Sequence, residues 1–472
     1  MAKKRLLSVG AFSPFGAKPY RAAVFAIGAV ALFLFVHPDA IETGNHAYLL
    51  LESIFSGQPR SFYGLVAAHQ NNLYYINNAH YNIVVYLLFA LAELPVFAVN
   101  TLFHLPVNEA VLTFIVKAVN AAFFVGCMPV MVSLARELKY SQTAQSFAPL
   151  LFALWPPALF SALVMGQFDV IALFFVLSGL LYWMRGKVLE FSLLFGFAIA
   201  IKSLPAFLFL PLLLLIEKRP LQILRQGLTA LWLTVPTTLL FVEVTFSMKH
   251  FNEIMTERLF AAKLAGGREI AVFPLLFALL CVLAFFWHPA PQNRNKAGLW
   301  MGLCVRGVLF LFVEWHPQWL ILLAPFMILT TLAESHRRPW LFVDLVFFAG
   351  FFLLCAAAYP SQLEANLFDA GLLGLFSQAS SARTPLIELY LRVPMLARLP
   401  MVLFSAALGA QLLLKAPLCG GQTIAGRLQS ANGACAAEEE KEEQVLKQSL
   451  FASLCAGFVF WLLPVLATRL FG

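Results

Sequence analysis

A chain of 472 residues that is 61% hydrophobic and only 12% charged is no water-facing domain, because soluble globular proteins hold about 45–50% apolar and about 25% charged residues. This excludes soluble enzymes, nucleic-acid binders and disordered scaffolds. It leaves an all-α polytopic membrane protein, with length for a dozen spans at about 20 apolar residues each. The net charge of +8 then reports first on orientation, since basic residues gather on the cytoplasmic side.

The first apolar run, 22–36, follows Lys3, Lys4, Arg5, Lys18 and Arg21, which sets the N-terminus in the cytoplasm. His37-Pro38-Asp39-Ala40 lacks a small-x-small cleavage pattern, so 1–36 reads as a cytoplasmic N-terminus and an uncleaved first span. The apolar stretch 83–103 breaks the alternation of sides set by the basic loops and holds Glu93 and Pro95 mid-run. It reads as a helix lying in or dipping into the outer interface, so that the first outer region covers 37–108. A transmembrane core, 109–415, carries further runs at 111–134, 145–165, 169–184, 190–201, 204–217, 226–247, 272–287, 298–314, 319–333, 340–358 and 399–414. A linker, 416–449, and a last span within 450–472 bring the expected total to about 13 spans.

Arg136/Lys139, Arg185/Lys187, Lys218/Arg219/Arg225, Arg294/Lys296, Arg337/Arg338 and Lys415/Arg427 all fall inside on this alternation, so most of the 32 Lys and Arg are cytoplasmic. The segments 248–270 and 360–398 are outer loops of mixed charge. The linker, with Gly420-Gly421 and an acidic run from Glu438, reads as flexible chain entering a solvated helix. None of the seven Cys falls in an outer loop and no Cys-x-x-Cys or His-rich spacing occurs, so neither a disulfide framework nor a metal site is indicated; divalent-ion dependence stays open.

Polar groups at membrane depth are costly unless they face a cavity or a partner, which makes them functional candidates. Gly166-Gln167-Phe168-Asp169 interrupts an apolar stretch. Asp169 suits the N-cap of the next helix with Gly166 making the turn, but capping leaves Gln167 unexplained, and a Gln-x-Asp pair can bind two sugar hydroxyls. Lys202 lies mid-run before Pro205, which predicts two short helices meeting at 202–204. Its ammonium suits a lipid-linked phosphate, or a buried pair with a carboxylate such as Asp169 or Glu243. Glu314-Trp315-His316-Pro317-Gln318-Trp319 forms an outer turn where a Glu, a His and a Gln exceed what an aromatic belt requires. Lys117 and Arg306 are the other basic residues within spans, and each suits a structural pairing. Asp39 and Glu42 follow the first span directly, and a carboxylate there can act as general base toward a hydroxyl. The stretch from Tyr74 through Asn77, Asn78, His80, Tyr81 and Asn82 suits a carbohydrate or head-group surface.

In this order of features the chain resembles the GT-C superfamily of integral membrane glycosyltransferases, in particular bacterial mannosyltransferase-like members related to the GPI mannosyltransferases. The residues that carry the resemblance are Asp39 and Glu42 after the first span, the Tyr/Asn-rich loop and helix from Tyr74 to Phe103, the block from Gly166 to Leu215 with Gln167, Asp169, Lys202 and Pro205, and His316-Pro317-Gln318-Trp319. It extends over about 20–340. The resemblance implies inverting transfer of a hexose such as mannose from a polyprenyl-phosphate-linked donor to a lipid-linked or surface glycan acceptor on the outer face. It makes Glu42 the first and Asp39 the second candidate for the acid/base residue, Lys202 the cation for the departing phosphate, and Gln167, Asp169, His316, Gln318 and His80 the substrate contacts. The acid spacing, Asp39-x-x-Glu42, departs from the family's usual pattern and leaves the choice of base open. A transporter or flippase for a lipid-linked saccharide or small solute is the competing class, but no repeated halves are visible; a non-catalytic assembly subunit is a third. The outer loops carry no glycosylation sequon, which points to a bacterial plasma membrane.

Overall fold

The computed structural model describes residues 18–69, 79–241, 255–264, 270–358, 392–418, 422–431 and 442–471. The Tyr74–Asn78 stretch, the basic residues at 3–5, most of the 248–270 and 360–398 loops, Glu243, Gly420-Gly421 and the acidic residues 438–440 lie outside the described residues. Those described form an all-α protein, with one antiparallel pair of two-residue strands, Lys263–Leu264 and Ile270–Ala271.

Helices α1 (Lys18–Leu34) and α2 (Pro38–Phe55) meet at a bend of 69°. His37 caps α2, its Nδ1 accepting the Asp39 N–H at 3.2 Å, and Pro38 supplies a preset first-turn φ. The chain after the first apolar run is therefore helix, and not the open loop expected there. A short helix, α3 (Phe62–His69), precedes α4 (Ile83–Phe103), whose N-cap Asn82 accepts the Val84 N–H at 3.1 Å. The helix expected at 83–103 is present, and its interfacial placement stays a proposal. α4 is long and apolar enough to cross a membrane, it packs on α2 and on α5 (Glu109–Glu137), and Glu93 is wholly buried beside Gly44 of α2.

α6 (Gln142–Leu154) and α7 (Pro156–Leu159) run through a π turn, 160–164, with a bend of 57°. α8 (Asp169–Met184) packs on α5 and on α9 (Val188–Ile201), and α10 (Pro205–Ile216) follows, so the break expected at 202–204 is present. Next come α11 (Pro220–Ala230), α12 (Thr234–Leu240), α13 (Val272–Phe286), α14 (Arg294–Phe312), a 3₁₀ turn (Pro317–Leu322) and α15 (Ala324–Leu332). α16 (Arg338–Ala358) and α17 (Pro394–Leu414) pack closely, because Gly350 lets the Phe404 backbone approach: a Cβ at 350 would stand 2.5 Å from its N. α18 (Ile424–Ala431) lies within the expected linker, and α19 (Glu442–Phe471) begins the last apolar helix earlier than expected, with Val445, Leu446 and Leu450 buried.

Among the described residues three helices are long and apolar enough to cross a membrane, five if each bent pair is one span, and six more apolar helices have 10–17 residues. This is an integral membrane protein by the character of its helices. The expected total of about 13 spans is not confirmed among the described residues: at 1.5 Å per residue a 14-residue helix covers about 21 Å of an apolar core about 30 Å thick. Several apolar runs are instead short helices joined at breaks, and the polar residues collect at those breaks.

Candidate active site

The site is built where three chain breaks meet: the α1–α2 bend, the turn before α8, and the α9–α10 break. Gly166 adopts φ +69°, the left-handed region that favours glycine. Asn120 of α5 donates to the Gly166 carbonyl at 2.6 Å, and a Cβ at 166 would stand 3.0 Å from Lys117 Cγ and 3.1 Å from Ala40 Cβ. Lys117, itself buried, donates to the Ala31 carbonyl at 3.1 Å and to that of Phe35, satisfying carbonyls at the end of α1. Lys117 is thus the structural pairing its depth suggested.

This clamp brings Gln167 to Asp39, whose Oδ2 accepts from Gln167 Nε2. Asp39 lies in the first turn of α2; its side chain is 32% exposed, and His37 Nδ1 stands 3.5 Å from Oδ1. Asp169, with no exposure, stands 2.5 Å from Lys202 Nζ. The N-cap role expected for Asp169 is not found. Phe168 holds that position without a side-chain bond, and the carboxylate pairs with an ammonium, a stronger partner than a backbone N–H. The carboxylate pairing considered for Lys202 is the arrangement present. Lys202 has extended backbone at the end of α9, its Nζ lies 5.0 Å from the Trp319 ring centroid, and Arg306 of α14 steadies the break by donating to the Leu204 carbonyl at 3.1 Å.

Asp39 interacts electrostatically with Asp169, Lys202 and His316, so these four share one neighbourhood. His316 Nε2 accepts from Arg258 Nη1 at 2.8 Å, since a guanidinium only donates, and the His316 ring lies 5.7 Å from that of Trp319. Gln318 is buried, and its Oε1 makes no hydrogen bond among the described residues. Glu314 is exposed. Glu42, one turn beyond Asp39 and half-buried, reaches the group through Tyr81, which interacts with Asp169, Asp39 and Glu42 and packs edge-on against Phe168 at 4.8 Å. The His80 ring lies tilted beside that of Tyr81, centroids 4.5 Å apart, and its backbone N–H donates to the Tyr86 hydroxyl at 3.1 Å.

The structure thus ties together Asp39, Gln167, Asp169 and Lys202, with His316 and Gln318 alongside, and holds Glu42 and His80 at one remove. Arg258 and Asn120 were missed by sequence reasoning. Arg258 falls in the 248–270 segment, expected on the side poor in basic residues, which was a usable signal; Asn120 lies in an apolar helix, and the same argument from depth would have singled it out. Among the described residues no group of three or more His, Cys, Asp or Glu is placed to hold a metal ion. Chemically, the arrangement offers a partly exposed carboxylate oriented by an amide, beside a buried ion pair and an Arg–His pair.

No family model matches the sequence, and no curated protein matches it. Among solved structures the chain is similar to the crystal structure of ArnT from Cupriavidus metallidurans bound to undecaprenyl phosphate, at 14% identity and a TM-score of 0.44, over 93% of this chain and 76% of that one. It is similar also to the same protein in the apo state, at 14% identity and a TM-score of 0.40, over 94% and 76% of the two chains. Likeness at this level leaves the chemistry of the chain to be argued from its own residues.

Proposed function

We propose that the chain is an inverting membrane glycosyltransferase of the GT-C type, moving a hexose such as mannose from a polyprenyl-phosphate-linked donor to a hydroxyl of a lipid-linked or surface glycan on the outer face. The observation that carries this reading is the Asp39 carboxylate at the bend of a broken apolar helix, held by Gln167 and one third open. A carboxylate kept in such a place and left accessible suits proton transfer better than helix capping.

In the proposed reaction the acceptor hydroxyl oxygen bonds to the anomeric carbon as the bond from that carbon to the donor phosphate oxygen breaks. The hydroxyl proton passes to Asp39, and the electron pair leaves with the polyprenyl phosphate. Asp39 takes the role of base ahead of Glu42 because the Gln167 amide donates to one of its oxygens and so fixes the orientation of the carboxylate, leaving the other oxygen for the acceptor. The charge that develops on the leaving phosphate is met by Arg258, steadied by His316. Lys202, bound to the fully buried Asp169, is a positioning residue that holds the α9–α10 break against the Gln167 turn. Gln167, His316, Gln318 and His80 contact the sugar or its phosphate.

The test is sugar transfer by purified protein from a panel of polyprenyl-phosphate hexoses to a glycolipid acceptor. Asp39→Asn is expected to lose about 100-fold or more of the rate, the usual contribution of a general base, while thermal unfolding in detergent stays as in the parent. Transfer that survives Asp39→Asn but is lost in Glu42→Gln would reassign the base. No transfer by the parent protein from any donor would overturn the enzyme reading.

A further inference from the structure

A cavity of about 790 Å³ lies away from the Asp39 group, at the opposite end of α14. The two sites are separated along a 19-residue helix: Asn293, Lys296 and Trp300 at its start face the cavity, and its far end leads to the His316 turn. At 1.5 Å per residue this is about 28 Å, close to the apolar thickness of a bilayer. The cavity belongs to the end where Arg294, Lys296, Arg337 and Lys415 gather, the side that charge bias assigns to the cytoplasm.

Its walls differ in character. On one side α13 ends in Leu283 and Phe286, which are 42% and 73% exposed on a helix with an otherwise apolar surface. Trp287 and Trp300 meet edge-to-face at 5.7 Å at the next corner. Polar and charged groups line the other side. Lys296 is exposed and makes no hydrogen bond or ion pair among the described residues. Lys415 is buried; its Nζ donates to Thr331 Oγ1 at 2.6 Å and Thr330 Oγ1 at 3.1 Å, and its charge faces Asp344 and Glu334. Lys218, behind the wall, spends its ammonium on the carbonyls of Leu214 at 2.6 Å, Ala284 at 2.8 Å and Trp287 at 3.3 Å, so the wall itself presents the two ammonium groups of Lys296 and Lys415. Among the described residues Glu334 is the one carboxylate in the wall; it accepts from Thr423 at 2.9 Å and interacts with Lys415, Lys296 and Arg337.

We infer that this cavity binds the headgroup of an anionic membrane phospholipid that carries free hydroxyls, as phosphatidylglycerol does. The phosphodiester would sit at Lys296 with Lys415 in the same wall, the hydroxyls would reach Glu334 and Gln422, and the acyl chains would leave over Leu283 and Phe286 into the bilayer. A soluble anion would have no use for the exposed Phe286, and the cation of a zwitterionic lipid would meet the ammonium groups of Lys296 and Lys415 with only Glu334, already held by Thr423, as a counter-charge. Basic pockets between helices on the cytoplasmic side are a recurring form of lipid recognition.

The test uses the full chain purified in neutral detergent, with native mass spectrometry of bound lipid after addition of phosphatidylglycerol or phosphatidylcholine. Preferential retention of phosphatidylglycerol is expected, falling at least 5-fold in Lys296→Glu, kept in Lys296→Arg and unchanged in Lys187→Glu, a charge reversal at an exposed lysine elsewhere. Equal retention of the two lipids, or equal loss in Lys187→Glu, overturns the proposal. Glycerol 3-phosphate is the soluble arm: if it binds and displaces the lipid at millimolar concentration, the cavity is a site for a free phosphate ester and the lipid assignment fails.

Discussion

Lys202 and Asp169 stand 2.5 Å apart with side-chain exposures of 6% and 0%. A pair taken so far from water is costly to assemble and costlier to break on one side, since the surviving charge loses its partner. Lys202→Met is therefore expected to lower stability by about 3–5 kcal/mol, read as a fall in the unfolding midpoint of detergent-solubilised protein. The double variant Lys202→Met, Asp169→Leu should recover most of that loss, because no lone charge remains. If the double variant is as unstable as the single one, the pair is not the cause. Depth within apolar runs singled out both residues in the sequence and offered Asp169 or Glu243 as a carboxylate for Lys202, but depth does not choose between partners. The Asp39–Gln167 contact was hidden for the same reason: each residue is conspicuous in its own segment, and only the folded chain brings the two segments together.

At the scale of elements, the breaks matter as much as the helices. Gly166 and Gly186 both have positive φ, 69° and 72°, but Gly166 is crowded by Lys117 and Ala40, whereas nothing lies within 4 Å of a Cβ at Gly186. Gly186→Ala should thus cost only the backbone term, about 1 kcal/mol, and Gly166→Ala distinctly more; equal unfolding midpoints for the two variants would contradict the clamp described for the Gln167 turn. Gly350→Ala should loosen α16 from α17, because the added methyl meets Phe404 backbone rather than a side chain that can turn away. Hydrogen exchange concentrated in those two helices would register this, and unaltered protection there would count against it. The α9–α10 break was legible from Lys202 and Pro205, since proline cannot continue a helix interior. The α1–α2 bend was less so. The residues after the first apolar run look like loop by composition, yet His37 and Pro38 together start a new helix, and a capping His is a weaker sequence signal than Ser, Thr, Asp or Asn.

For the whole molecule, the charge bias and the two sites make one connected expectation. If the basic clusters are cytoplasmic, Lys187 and the cavity beside Lys296 face one compartment, while Glu314 and the Asp39 group face the other. In a chain with its native cysteines replaced, Glu314→Cys should react with a membrane-impermeant maleimide added to intact cells, and Lys187→Cys only after lysis. Both positions are exposed, so the reverse labelling pattern would invert the orientation. Sequence by itself determined that the chain lives in a bilayer and is helical, and it picked out most of the polar residues that gather at the breaks, because hydropathy, charge bias and proline are read locally along the chain. Tertiary structure decided that Lys202 belongs to Asp169 and Gln167 to Asp39, that 83–103 packs as a buried-faced helix, and that a charged cavity opens at the start of α14. Those outcomes depend on where helices distant in the chain cross, and one-dimensional patterns of apolar residues leave that crossing undetermined.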